Sequence, residues 1–123
     1  MGIQVLLFVG LGGAVGSVLR ALISYFLTSQ TLWATVLANL GGAILIGFLS
    51  KWAATFGTGE IFRAFWIIGL CGGFTTFSTF GMDLFSLLER GDWGIGFVYV
   101  CANFFGTLFF IWLGFKIANL TLL

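Results

Sequence analysis

The sequence predicts an all-α membrane protein, with four transmembrane helices in a single domain that covers residues 1–123. Hydrophobic residues make up 60% of the chain, whereas soluble domains contain about 45–50%. Charged residues make up only 7%, where about 25% is usual. So few charges cannot cover a water-soluble surface, which excludes a soluble domain, a disordered tail and a nucleic-acid-binding protein.

Four apolar stretches approach the length of about 20 residues that a helix needs to cross a bilayer. They are residues 3–27, 32–49, 64–88 and 93–115, called segments 1 to 4. Their apolar residues run continuously, without the alternation that is typical of a β-barrel wall. The five tryptophans lie at or near segment ends, where indole rings favour the membrane interface. The segments therefore predict a bundle of four membrane-spanning helices.

The basic residues do not define one orientation in the membrane. Four crossings place both termini and a long connection, residues 50–63, on one side, with Lys51, Arg63 and Lys116. The other side has Arg90 and, if its side chain reaches the interface, Arg20. Since a clear excess of Lys and Arg normally marks the cytoplasmic side, this balance predicts dual topology, with two oppositely oriented copies paired about a two-fold axis. A single orientation set by another cue is the alternative.

Segment 3 contains the most unusual stretch, residues 72–80, GGFTTFSTF. Two adjacent glycines weaken a helix, and the hydroxyl side chains that follow compete for backbone hydrogen bonds. The stretch predicts a break in the helix near the bilayer midplane, where freed carbonyls can bind a small cation. The alternative is an unbroken helix whose hydroxyls bond to the preceding turn.

Phe77 and Phe80 are three residues apart and share one face of the second half of segment 3, with Ser78 and Thr79 beside them. The positive edge of an aromatic ring, combined with hydroxyl donors, attracts an anion weakly and without a fixed charge that would trap it. These four residues are candidates for an anion path. Because the chain has 16 phenylalanines, packing or lipid contact is the alternative for the two rings.

Segments 2 and 4 each carry uncharged polar residues. Asn39 lies near the midplane of segment 2, where its amide needs a partner, either as a bond between helices or as part of a pore. Tyr99, Asn103 and Thr107 recur every four residues and share one face of segment 4. This stripe can bond neighbouring helices or line a polar track, and we favour the track.

Arg20 and Asp83 are the charges inside or directly flanking the apolar runs, away from the obvious interfaces. Charges at such positions are costly and mark functional candidates. We expect them in vestibules, where Arg20 would attract anions; structural snorkelling is the alternative. Segments 1, 2 and 4 contain no carboxylate, which argues against a proton-coupled antiporter.

Three motifs in this order resemble the Fluc family of fluoride channels, also called CrcB, along the whole chain. They are Gly12-Gly13-x-x-Gly16-x-x-x-Arg20, Asn39-x-x-Gly42-x-x-x-x-Gly47 and the stretch 72–80. The resemblance implies an antiparallel homodimer in the lipid of the cell inner membrane, with two pores that export fluoride passively and no enzyme activity. It further implies a structural sodium ion at the dimer interface, bound by the backbone carbonyls of Gly72 and Thr75.

The resemblance also assigns roles to single residues. It places Phe77 and Phe80 as paired aromatics beside the anion path, next to Asn39, Ser78 and Thr79. Tyr99, Asn103 and Thr107 match its segment 4 track more loosely, and Asp83 stands where glutamate is usual. Two other hypotheses stay open: a small multidrug antiporter with dual topology, although segment 1 lacks the embedded glutamate of that class, and a structural membrane subunit without transport activity.

Overall fold

The computed structural model describes residues 2–122 and is built from four long helices. All four are long and apolar enough to cross a bilayer, which confirms the predicted all-α, multi-pass membrane class. They are helix 1, Ile3–Phe26; helix 2, Thr31–Phe56; helix 3, Glu60–Glu89; and helix 4, Trp93–Thr121.

The connection between helices 2 and 3 is much shorter than the sequence predicted. Helix 2 continues past residue 49 to Phe56, and helix 3 begins at Glu60, so the long connection expected over residues 50–63 was wrong. The added turns carry stacked aromatic rings, because Trp52 lies 6.0 Å from the Phe48 ring and 4.7 Å from the Phe56 ring between centroids. Helix 2 ends where Gly57 adopts a left-handed φ of 60°.

Helix 3 is composite. Its first part contains Glu60–Phe62, wider π-helical turns over Arg63–Cys71 and a last turn at Gly72–Phe74. Thr75 and Thr76 have extended backbone, with φ and ψ of −82° and 156° and of −151° and 121°. The second part is Phe77–Glu89. Gly72, expected in unwound backbone, is helical, and the extended pair follows it.

Glycines bring the helix backbones into direct contact. A Cβ on Gly12 of helix 1 would meet the Phe65 carbonyl oxygen of helix 3, and one on Gly47 of helix 2 would meet the Ile111 carbonyl oxygen of helix 4. Such small residues let membrane helices approach closely. Helix 1 therefore packs along helix 3, and helix 2 along helix 4.

The buried polar side chains lie between helices 2 and 4. Thr35, Asn39 and Asn103 are each at most 9% exposed. Most large side chains on the outer faces of helices 1 and 4 are apolar and exposed, as lipid contact requires. The fold thus concentrates its internal polar groups where helices 2 and 4 meet helix 3.

Candidate functional site

A cavity of about 470 Å³ lies between helix 2, the extended pair of helix 3 and helix 4. Its polar lining consists of amides and hydroxyls, from Asn39, Thr75, Thr76, Asn103 and Thr107. The rest of the lining is aliphatic or aromatic: Ala43, Ile46, Phe77, Phe80, Val100, Phe104, Leu108 and Ile111. Within residues 2–122, no charged side chain lines this cavity.

The Asn39 side chain holds the backbone of Thr76 from both sides of its amide. The Thr76 N–H donates to Asn39 Oδ1 at 2.7 Å, and Asn39 Nδ2 donates to the Thr76 carbonyl at 3.1 Å. Extended backbone inside a membrane bundle needs partners for both of its polar groups. Asn39 supplies these partners in place of the helical bonds that Thr76 does not make.

Asn103 completes the bonding of Asn39. Asn39 Nδ2 donates its second hydrogen to Asn103 Oδ1 at 2.9 Å, and Asn103 Nδ2 donates to the Tyr99 carbonyl at 3.0 Å. A carboxamide has two N–H donors, so both donors of Asn39 are occupied by the protein. Asn39 therefore serves as a bond between helices 2, 3 and 4.

Threonines close the helix on either side of the extended pair. The N–H and the hydroxyl of Thr75 both donate to the Cys71 carbonyl, at 3.0 and 2.9 Å. The Thr76 hydroxyl oxygen accepts the Thr79 N–H at 3.1 Å, which caps the first turn of the second part. The hydroxyls of Thr76 and Thr79 also bond to each other at 3.1 Å. The threonine side chains of this stretch thus stabilise the helix ends on either side of the extended pair.

Two of these hydrogen bonds use backbone N–H groups that would donate to the carbonyls of Gly72 and Thr75 in a regular helix. In an α-helix, the carbonyl of residue i accepts from the N–H of residue i+4. For Gly72 that donor is Thr76, whose N–H bonds to Asn39 instead. For Thr75 it is Thr79, whose N–H bonds to the Thr76 hydroxyl. The carbonyls of Gly72 and Thr75 are thus left without their usual helical donors.

Aromatic rings form one wall of the cavity. The Phe77 and Phe80 rings are 5.5 Å apart between centroids, and Phe80 stacks on Tyr99 at 5.3 Å. Phe77 is 83% exposed, so one protein chain leaves nearly its whole ring uncovered. Ser78 is also exposed but does not line the cavity.

Asp83 lies at the centre of a second polar cluster. Its Oδ2 accepts from the Tyr99 hydroxyl at 2.6 Å and from the Thr35 hydroxyl at 2.9 Å. Tyr99 thus directs its hydroxyl to Asp83 and contacts Phe80 with its ring. Arg20 is elsewhere: its Nε donates to the Gly73 carbonyl at 3.1 Å, next to the extended pair.

The structure brings together six of the residues proposed from sequence, and these line the cavity: Asn39, Thr75, Phe77, Phe80, Asn103 and Thr107. Gly72, the other proposed sodium ligand, is not part of the lining. Ser78, Thr79 and Tyr99 do not line it, and Arg20 and Asp83 lie outside it. Sequence reasoning assigned no role to Thr35 or to the Thr76 side chain. For Thr35 a signal was present, because its spacing of four residues from Asn39 repeats the spacing of Tyr99 and Asn103.

The family model described as CrcB-like protein, Camphor Resistance (CrcB), matches residues 7–115. The chain belongs to the CrcB family. This membership confirms the resemblance read from the three motifs. Curated CrcB relatives carry the name fluoride-specific ion channel FluC.

Three of these relatives illustrate the similarity. The protein from Rhizobium meliloti is 40% identical over 103 residues, which cover 80% of this chain and 82% of the relative. The protein from Methylocella silvestris is 35% identical over 119 residues and 91% of each chain. The protein from Acinetobacter baumannii is 36% identical over 112 residues and 89% of each chain. The similarity therefore includes all four helices.

Proposed function

We propose that this CrcB-family protein is a fluoride-selective ion channel, not an enzyme, and that it exports fluoride passively across the cell inner membrane. Its relatives are named fluoride-specific ion channels. The observation that carries the proposal in the structure is the uncharged cavity at the extended pair, whose lining combines amide, hydroxyl and aromatic groups with aliphatic ones. Passive flow through such a path lowers internal fluoride without any chemical step.

The lining suits a small, strongly hydrated anion. The Thr107 hydroxyl and the second N–H of Asn103, whose Nδ2 gives one bond to the Tyr99 carbonyl, are the lining donors that can replace water at the anion. The edges of Phe77 and Phe80 add a weak positive field. Conduction requires binding that is favourable enough for entry and weak enough for release. A cavity without a fixed positive charge meets the second condition, and its hydrogen-bond donors meet the first.

The antiporter alternative fits this cavity less well. Proton-coupled transport needs a group in the path that binds and releases a proton, yet no carboxylate lines the cavity within residues 2–122. Asp83 lies outside the lining, and its Oδ2 is engaged by Tyr99 and Thr35. The structural-subunit alternative predicts no transport by the purified protein, and transport assays separate it directly.

A second, oppositely oriented copy would complete the path. The cavity is not fully enclosed by a single chain, and Phe77 is 83% exposed in that chain. The even distribution of basic residues permits both orientations in the membrane. A two-fold axis in the membrane plane repeats every site, so an antiparallel homodimer contains two equivalent pores.

The extended pair suits a structural sodium ion at that axis. The carbonyls of Gly72 and Thr75 lack their usual helical donors, since Asn39 and the Thr76 hydroxyl take these amides. Oxygen atoms of this kind are the ligands that a small hard cation prefers. Two copies that meet at this point would supply two such carbonyls each, and the bound charge would compensate their dipoles.

Arg20 and Asp83 are proposed to act at the approaches to the path. Asp83 is half-buried and bonded to Thr35 and Tyr99, so its charge has a fixed position near the aromatic wall. Arg20 is half-buried at the Gly73 carbonyl, where its positive charge also stabilises the end of the first part of helix 3. Together they place opposite charges near the path but outside its lining.

Efflux from liposomes tests the proposed function. Purified protein is reconstituted into vesicles loaded with fluoride, with chloride or with a cationic drug, and release of each is followed. We expect rapid fluoride release, slow chloride release and no drug release. Drug release coupled to a proton gradient would support the antiporter instead, and no release of any solute would support the structural subunit.

A further inference from the structure

We propose that Asn103 is a positioning residue for the fluoride path: it holds Asn39 on the Thr76 backbone and thereby fixes the extended pair from helix 4. The inference rests on the proposed function, because the extended pair is taken as part of that path. It assigns Asn103 a role that does not require contact with the anion.

The backbone of Thr76 dictates the orientation of the Asn39 amide. A backbone N–H only donates and a backbone carbonyl only accepts. Asn39 Oδ1 must therefore face the Thr76 N–H, 2.7 Å away, and Nδ2 must face the Thr76 carbonyl, 3.1 Å away. If the amide turned over, a donor would face a donor and an acceptor would face an acceptor.

This orientation leaves one N–H of Asn39 that needs an acceptor in a buried place. Asn39 is 9% exposed, and the acceptor in the structure is Asn103 Oδ1 at 2.9 Å. A buried donor without a partner is costly. Without Asn103, Asn39 would lower that cost by turning towards the cavity, and the Thr76 backbone would then lose one or both of its bonds.

Asn103 is itself oriented by helix 4. It is 6% exposed, and its Nδ2 donates to the Tyr99 carbonyl one turn earlier, at 3.0 Å. This bond directs Oδ1 away from its own helix and towards Asn39. Hydrogen bonds therefore connect the Tyr99 carbonyl of helix 4, through Asn103 and Asn39, to the Thr76 backbone of helix 3. Helix 4 thus helps to fix the Thr76 backbone, whose N–H and carbonyl are both bonded by Asn39.

A double-mutant cycle distinguishes this role from direct contact with fluoride. Asn103→Leu removes the acceptor while keeping the number and branching of the side-chain heavy atoms, and Asn39→Leu removes the group that Asn103 positions. We expect either change to slow fluoride efflux by at least about tenfold, and the double variant to be no slower than Asn39→Leu, because one interaction is lost in each case. If the two single effects multiply in the double variant, Asn103 acts independently of Asn39 and the proposal is overturned.

Thr107→Val is the matched control. Thr107 is one turn from Asn103 and lines the same cavity, but no hydrogen bond joins its side chain to Asn39 in the described structure. Combined with Asn39→Leu, it should give effects that multiply, as independent sites do. Monodisperse elution of every variant as the wild-type assembly shows that efflux changes do not reflect unfolding.

Hydrogen exchange of the Thr76 N–H tests the same inference without transport. In protein labelled with ¹⁵N-threonine and transferred to deuterated water, Asn103→Leu should speed exchange at Thr76 by at least about tenfold, since the Asn39 bond opens more often. Exchange at Thr79, bonded to the Thr76 hydroxyl, reports whether the loss is confined to the contact between Asn39 and Thr76. An unchanged exchange rate at Thr76 would overturn this proposal. A wild-type protein that moved no fluoride would instead refute the proposed function, so the two failures are distinguishable.

Discussion

Replacing Gly12 with alanine is expected to destabilise the contact between helices 1 and 3. A Cβ at Gly12 would meet the Phe65 carbonyl oxygen, with the Leu70 nitrogen at 2.9 Å and the Phe65 carbonyl carbon at 3.0 Å. All three atoms belong to the backbone. Because no side chain can rotate away, the two helices would have to separate.

The expected loss is about 2 kcal/mol in the free energy of unfolding. Overpacking in a tight contact costs about 1–3 kcal/mol, and a clash with rigid backbone lies at the upper end of that range. Alanine also has a higher helix propensity than glycine, which returns about 1 kcal/mol. Gly10→Ala is the matched control, since no atom of another helix lies within 4 Å of the position that its methyl group would take. This variant should be neutral or stabilising by up to about 1 kcal/mol.

Unfolding of the reconstituted protein by increasing denaturant, followed by circular dichroism, measures both variants against wild type. We expect Gly12→Ala to unfold at a lower denaturant concentration and Gly10→Ala at an equal or higher one. Separation of the helices would also move Arg20 from the Gly73 carbonyl, a contact of 3.1 Å, so fluoride efflux should fall in Gly12→Ala. Equal stability of the two variants would refute the close backbone contact.

Three further predictions concern the path and the assembly. Phe77→Ile should reduce fluoride efflux severely while the protein still assembles, because the aromatic edge is lost. The control is Phe97→Ile, which should leave efflux unchanged, because Phe97 is 71% exposed and lies outside the cavity. Equal effects of the two variants would show that Phe77 only contacts lipid. A C-terminal reporter should be found on both sides of the membrane, and lysines added to the turn at residues 90–92 should force one orientation and lower activity; a wild-type reporter on one side only would contradict dual topology. A high-resolution structure of the assembled protein should show an ion on the two-fold axis, coordinated by the Gly72 and Thr75 carbonyls of both copies, whereas α-helical backbone at Thr75 with no ion would contradict the sodium proposal.

The membrane class and the four helices followed from composition and apolar runs, because a bilayer imposes length and hydropathy on every crossing. Helix ends were less predictable. The residues after 49 were predicted to form a loop, and they include Ser50 and Lys51. In the structure the helix continues to Phe56, where the rings of Phe48, Trp52 and Phe56 pack along one face and Gly57 caps the end in a left-handed conformation. Aromatic contacts within the helix and the position of the cap decided the boundary.

The cavity residues were partly predictable from spacing. Phe77 and Phe80 were identified by their three-residue spacing beside hydroxyl residues, Asn39 by its depth and Asn103 by its four-residue repeat, and all four line one cavity. The sequence left open whether Asn39 bonds helices or lines a pore. In the structure it does both: its two N–H groups donate to Thr76 and Asn103, and its side chain borders the cavity. Pairings such as that of Tyr99 with Asp83 depend on how helices 3 and 4 pack against each other. The residue spacing within one helix does not give this arrangement.

The most direct test of the central claim is the current through the protein in a planar bilayer with fluoride at different concentrations on the two sides. We predict a current that reverses at the equilibrium potential of fluoride, that is unaffected by a proton gradient and that nearly vanishes when chloride replaces fluoride. A current that follows the proton gradient, or that chloride carries equally well, would contradict a passive fluoride-selective channel.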